Sequence, residues 1–253
     1  MPLIITGLGA YLACKPETIP TSAEQYQGNT QNIDEAIIRT VAVYGVVFAL
    51  AHCHQKNISF TPPVKKYNYH ENLLRMAGIV NCESRSCATP QHISDELKLS
   101  SFRRFSTLNA DHGMALSAFT ALVTASSLTD PLSCVISSLS AAYGPLHFGA
   151  TQSALSALAE VGNLENVPSF LEQVKSGKRK LFGYGHRSYR GGGDPRMPYV
   201  KDVLEDMRSF IDSNPLFKIS QHIEKLASED EYFLRRGLFP NADFYGHFIF
   251  SAM

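Results

Sequence analysis

The chain has 253 residues, 44% of them hydrophobic and 18% charged, which is the composition of an ordinary globular protein with enough apolar side chains for a sizeable core. Lys+Arg and Asp+Glu both number 23, so zero formal charge argues against nucleic acid or an anionic membrane held by bulk charge, and only a local basic cluster is left to grip an anionic ligand. The five cysteines, Cys14, Cys53, Cys82, Cys87 and Cys134, are odd in number and scattered, as free thiols in a reducing compartment are; neither Cys82 with Cys87 nor Cys53 between His52 and His54 has a usual zinc spacing.

In chain order, Met1 to Cys14 is apolar but has no basic residue before Lys15, so it lacks the charged start of a signal peptide and reads as a buried helix. Ile33, Ile37 and Val41 recur at helical spacing, with Asn32 as the expected cap. The apolar run Thr40 to Cys53 falls short of the ~18–20 residues a bilayer span needs. No Arg-rich amphipathic start or peroxisomal ending is visible, so the expectation is a soluble intracellular protein, cytoplasmic by default. Pro62 and Pro63 mark a connector from Ser59 to Lys66, and Tyr69 to Met76 reads as a short helix with Leu73, Leu74 and Met76 inward. Asn81 to Gln91 reads as an exposed loop.

Asn109 to Leu128 is rich in small residues, which predicts a central buried helix. Thr129-Asp130-Pro131 is a strong start signal for a helix to about Tyr143, stopped by Gly144-Pro145. Further helices are expected from about Ala150 to Gly162, from Pro168 to Gly177, from Pro198 to Ser213, from Ile219 to Ala227, and after Pro240-Asn241. Lys178 to Arg196 carries five glycines and six Lys or Arg, and predicts a long irregular cationic loop. No stretch alternates with period two, so the fold class is all-α.

Four residues at helix edges or loops are candidates for chemistry, since polar groups there can point into a cleft. His112 follows Asn109-Ala110-Asp111. His147 lies between the Gly144-Pro145-Leu146 turn and a helix start whose N–H groups favour developing negative charge. His186 sits in the cationic loop, where glycines allow close approach to phosphates and Arg187, Arg190 and Arg196 supply countercharge. Asp243 follows Pro240-Asn241-Ala242, where an aspartate can also serve as a cap. Each alone has an ordinary structural explanation; their order and flanks together do not.

Five separated motifs carry a resemblance: Leu108-Asn109-Ala110-Asp111-His112, Gly144-Pro145-Leu146-His147, Gly183-Tyr184-Gly185-His186-Arg187, Asp194-Pro195-Arg196 and Phe239-Pro240-Asn241-Ala242-Asp243. Over almost its whole length the chain resembles the citrate synthase family, and most closely the fungal citrate-synthase-like enzymes, the alkylcitrate synthases. The resemblance implies a metal-free condensation of an acyl-CoA with oxaloacetate. Asp243 would remove the proton beside the thioester, His147 would hydrogen-bond the thioester oxygen, and His186 would polarise the ketone and protonate the alkoxide. His112 and Arg196 would hold the oxaloacetate carboxylates. Leu181, Gly183, Gly185, Arg187 and Arg190 would form the wall that receives CoA. Acyl-CoA is implied as co-substrate with no bound cofactor, and a homodimer as the assembly. By the same resemblance residues 1–147 would be part of a large helical domain, 148–238 a small domain that closes over it, and 239–253 a return to the large one.

The chain departs from the pattern at Phe148, where glycine is commonest, and at Ala115, where many members have asparagine; both favour a longer acyl chain over acetyl. It also begins inside the family's large domain and stops at Met253, ten residues after Asp243, without the arginines that members carry beyond that point. The expected product is citrate or an alkylcitrate of secondary metabolism. The alternatives are a 2-methylcitrate synthase using propionyl-CoA and a truncated, non-catalytic homologue.

Overall fold

The computed structural model describes residues 1–81, 93–110, 113–144, 147, 149–186, 189 and 192–253, with the side chains of 150–152 set aside. Among the described residues the regular structure is helical: α1 (Pro2–Cys14), α2 (Thr30–Lys56), α3 (Tyr69–Met76), α4 (Asp95–Leu108), α5 (Leu116–Ala125), α6 (Pro131–Ala142), α7 (Gly149–Val161), α8 (Val167–Lys175), α9 (Met197–Asp206), α10 (Arg208–Ile211), α11 (Pro215–Glu229), α12 (Glu231–Arg236) and α13 (Ala242–Ser251). The extended structure among these residues is one isolated antiparallel bridge, between Tyr184 and Pro240. The fold is all-α, as the absence of alternation predicts.

The helices fall into two compact units, Met1–Arg85 with His112–His147 and Ser86–Asp111 with Phe148–Met253. In the first unit α2 packs on α1, α3 and α6, and α5 lies along α6. Helix α2 is longer than the Thr40–Cys53 run suggests: its 27 residues include an 18-residue window of mean hydropathy 1.8, so by length and composition alone it could cross a membrane. Its apolar residues join a core of Ile4, Leu8, Ala51 and Leu132. Its cap is Asn29, whose side chain accepts from the Asn32 amide, rather than Asn32 itself. Helix α1 buries only Ile4 and Leu8, less than an entirely buried helix would. Helix α3 matches its expected bounds and inward residues, and Asn68 with Glu71 closes a capping box at its start.

The region expected as one buried helix, Asn109 to Leu128, instead follows the close of α4 at Leu108 and holds the shorter α5, which begins at Leu116. Ser117 is the buried residue of α5, whereas Leu116, Phe119, Leu122 and Val123 are more than half exposed. The small residues serve the α5–α6 contact, where Thr124 Oγ1 meets Ser137 Oγ at 2.7 Å. Close approach to one neighbour turns the large side chains outward; composition reports the first and not the second.

In the second unit α13 packs against α4, α7, α9 and α11. Phe248 stacks edge-on against Phe217 at 5.1 Å and Phe244 against Tyr184 at 4.9 Å. Gly246 is required by closeness, since a Cβ there would lie 2.7 Å from the Phe105 ring. The helix expected from Pro198 to Ser213 breaks at Met207 into α9 and α10, and α12, capped by Asp230 and closed by left-handed Gly237, adds a helix the sequence reading omits. Cys53 Sγ donates to the Met76 carbonyl at 3.3 Å as a buried thiol, and among the described residues no three His, Cys, Asp or Glu converge as metal ligands. Cys82 and Cys87, with most of the expected 81–91 loop, lie outside the described residues.

The Asp130-Pro131 start signal has a measurable consequence. Asp130, 3% exposed, accepts from the Ser133 amide at 2.8 Å and from its hydroxyl at 2.7 Å. Asp130→Ala is expected to cost about 1–2 kcal/mol, read as a lower urea midpoint at unchanged slope.

Candidate active site

In the second unit the cationic loop is pinned to the chain entering α13. The Gly185 amide donates to the Phe239 carbonyl and the Asn241 amide to the Gly183 carbonyl, both at 2.8 Å. The Asn241 side-chain amide adds a bond to the Gly185 carbonyl at 3.3 Å. This pairing needs glycine at 183 and 185. Both have positive φ, and added Cβ atoms would meet the Phe244 backbone at 2.7 Å and the Leu238 side chain at 2.6 Å. Their first duty is therefore packing, and Leu181 packs on the same core. Between them Tyr184 is wedged edge-on against Phe244 and Phe233, its hydroxyl buried. Burial pushes that phenol's pKa up, so it stays protonated.

The same pairing sets His186 and Asp243. His186 follows the last paired glycine, is exposed, and lies 4.9 Å from the Tyr189 ring. Asp243 is half-buried in the first turn of α13, where Asn241 caps the helix by accepting from the Asp243 amide at 3.0 Å. The Asp243 side chain therefore leaves the chain at the N-terminal end of α13.

Arg196 is held by Asp194. Its Nε and Nη2 donate to the two Asp194 oxygens at 3.0 and 2.7 Å, and its Nη1 donates to Asn109 Oδ1 at 2.8 Å. Three of the five guanidinium N–H groups are thereby engaged, which leaves two for a ligand carboxylate. Asp194 also accepts from the Ala242 amide at 3.0 Å, so one buried carboxylate orients Arg196 and caps α13. Burial pushes this carboxyl's pKa up, but bonds from Arg196 and from the Arg196 and Ala242 amides outweigh it and hold it below the ordinary 3.8.

In the first unit His147 caps α5. Ala115 has no side-chain acceptor for the helix start, and the Ser117 amide donates to His147 Nε2 at 3.3 Å. A backbone N–H can only donate, so Nε2 must be the acceptor and the ring proton sits on Nδ1. The Ser117 hydroxyl lies 2.9 Å from the same nitrogen. Sequence reasoning missed Ser117 and Asn109, because partners 30 and 87 residues apart leave no local signal, and it gave Asp194, two residues before Arg196, no part in holding it. His112, Arg187 and Arg190 lie outside the described residues.

Residues 3–253 match the family described as citrate synthase, C-terminal domain. The chain belongs to the citrate synthase family. It is 45% identical over 254 residues to the alkylcitrate synthase phiJ of Fungal sp., covering 100% of this chain and 54% of that protein. It is 42% identical to the alkylcitrate synthase tstJ of Talaromyces stipitatus, covering 100% and 55%. The structure of citrate synthase from Thermotoga maritima superposes with a TM-score of 0.74 at 26% identity, covering 98% of this chain and 60% of that one. The chain spans about half the length of the curated relatives it matches. Five motifs quoted from the sequence thus fall within a full-length family match.

Asp194 provides a test of the site's support. Its lowered pKa means that the carboxylate stabilises the fold above the ordinary carboxylate range, and that this contribution fades as pH falls through the folded value. Asp194→Asn is expected to lose about 3 kcal/mol at neutral pH, as breaking a buried ion pair does. Urea titrations below about pH 4 should also show a flatter acid dependence than the parent.

Proposed function

We propose that this chain carries the chemistry of an acyltransferase that condenses an acyl-CoA with oxaloacetate, releasing CoA and giving citrate or an alkylcitrate. The observation that carries this reading is the enforced tautomer of His147: with Nε2 accepting from the Ser117 amide, its N–H lies on Nδ1. A hydrogen beside a thioester is weakly acidic, so a carboxylate removes it only if the resulting enolate oxygen is stabilised at the same moment. In this reading Asp243 takes the proton and His147 donates Nδ1–H to the thioester oxygen without changing its own charge. The enolate carbon attacks the ketone of oxaloacetate, and His186 polarises that ketone and protonates the new alkoxide. Hydrolysis of the thioester then frees CoA.

Arg196, with its two remaining N–H groups, and His112 would hold the acceptor's carboxylates, while Leu181 to Gly185 with Arg187 and Arg190 would receive CoA. No metal enters this scheme. The identity to two alkylcitrate synthases, together with Phe148 and Ala115, supports an acyl donor longer than acetyl and a place in secondary metabolism. A substrate carried on CoA places the reaction inside the cell. The exposed Leu116, Phe119, Leu122 and Val123 of α5 support association with a second copy of the chain.

The test is oxaloacetate-dependent release of free thiol from acetyl-, propionyl-, hexanoyl- and octanoyl-CoA. Release is expected, fastest with a longer donor. Propionyl-CoA as the best donor would support a 2-methylcitrate synthase, and no release from the folded chain would favour a non-catalytic homologue. Asp243→Asn is expected to lower turnover at least about a thousandfold with CoA binding retained, and equal turnover would remove Asp243 from the base role.

A further inference from the structure

His247 stands one helical turn beyond Asp243 in α13, so the two side chains leave the helix on the same side. The imidazole residue is 8% exposed, and neither ring nitrogen has a hydrogen-bond partner among the described residues. Burial pushes its pKa down to about 4, so the ring is neutral near pH 7 and offers one N–H donor and one acceptor. Leaving such groups buried and unmade is costly, and here they lie one turn from a candidate base.

In the structure the ring lies over Phe248, with centroids 3.8 Å apart and planes inclined by 42°. Helical side chains favour rotamers that lean toward the preceding turn, and for residue 247 that turn carries Asp243. Four residues rise about 6 Å along a helix, a span that an imidazole and a carboxylate close directly or across one water. Other polar side chains of α13 are committed elsewhere: Tyr245 donates to Glu224, and Ser251 to the Phe248 carbonyl at 3.2 Å.

We propose that His247 is a positioning residue for Asp243, donating its ring N–H to the carboxylate when it leaves Phe248 for the preceding turn. The inference rests on the reading of Asp243 as the base. One carboxylate oxygen accepts from His247, which fixes the plane of the group and aims the other oxygen at the substrate proton. His247 keeps its own proton throughout. A gain from orientation alone appears in the rate of the chemical step and leaves substrate affinity unchanged.

His247→Phe keeps the bulk and removes both nitrogens, and His247→Gln returns an N–H donor. The phenylalanine variant is expected to lower kcat about tenfold with KM for oxaloacetate and acyl-CoA unchanged, and the glutamine variant to recover most of the loss. Unchanged kcat in the phenylalanine variant, or no recovery with glutamine, would overturn the proposal. A second measurement needs no turnover: the ring nitrogen and N–H signals of His247, followed by NMR in the parent and in Asp243→Ala. Loss of the acceptor is expected to shift the tautomer balance and the N–H resonance; identical signals would overturn the proposal. Absence of thiol release from the parent would sink the condensation reading instead, and the NMR comparison would still decide the role of His247.

Discussion

The buried Asp194 carboxylate is the interaction on which the candidate site of the second unit depends. It receives four hydrogen bonds: from the Arg196 amide, Nε and Nη2, and from the Ala242 amide at the start of α13. A lone buried carboxylate would be costly, and a fully paired one fixes geometry. Asp194 therefore couples the orientation of Arg196 to the position of Asp243. The glycine pairing of residues 183–185 with 239–241 then adds His186 to the same frame. In the first unit the corresponding constraint is the single N–H of Ser117, which decides the tautomer of His147.

Under the proposed condensation these constraints would divide the work. Asp243, at the start of α13, would act as the base, and His147, whose Nε2 is engaged by the Ser117 amide, would offer its other ring nitrogen to the enolate oxygen. A guanidinium locked by a neighbouring carboxylate cannot turn freely, so the orientation of Arg196 is fixed by Asp194. In that reading each group would be prepared before substrate arrives, and reorganisation at the moment of reaction would be correspondingly small.

Much of the fold was legible in the sequence because helix ends carry local chemistry. Asp130-Pro131 and Gly177 marked their boundaries, and the apolar spacing of Leu73, Leu74 and Met76 gave the inward face of α3. Long-range packing was not legible: the small residues of α5 signalled close approach but not that α6 receives it. The site was legible as a set of motifs and not as a mechanism. Nothing near His147 in sequence names Ser117 as its partner, and nothing near Arg196 names Asn109, although Asp194 stands only two residues away. Nothing in the sequence sets His247 apart from its neighbours in α13; its burial without partners does.

The most direct measurement of whether this chain activates a carbon beside a thioester is deuterium incorporation at the α-carbon of acyl-CoA in heavy water, followed by mass spectrometry. If Asp243 is the base and His147 the oxyanion donor, the parent chain exchanges that hydrogen and Asp243→Asn does not. A folded parent that leaves the hydrogen in place, or an Asp243→Asn chain that exchanges it equally well, would contradict the assignment.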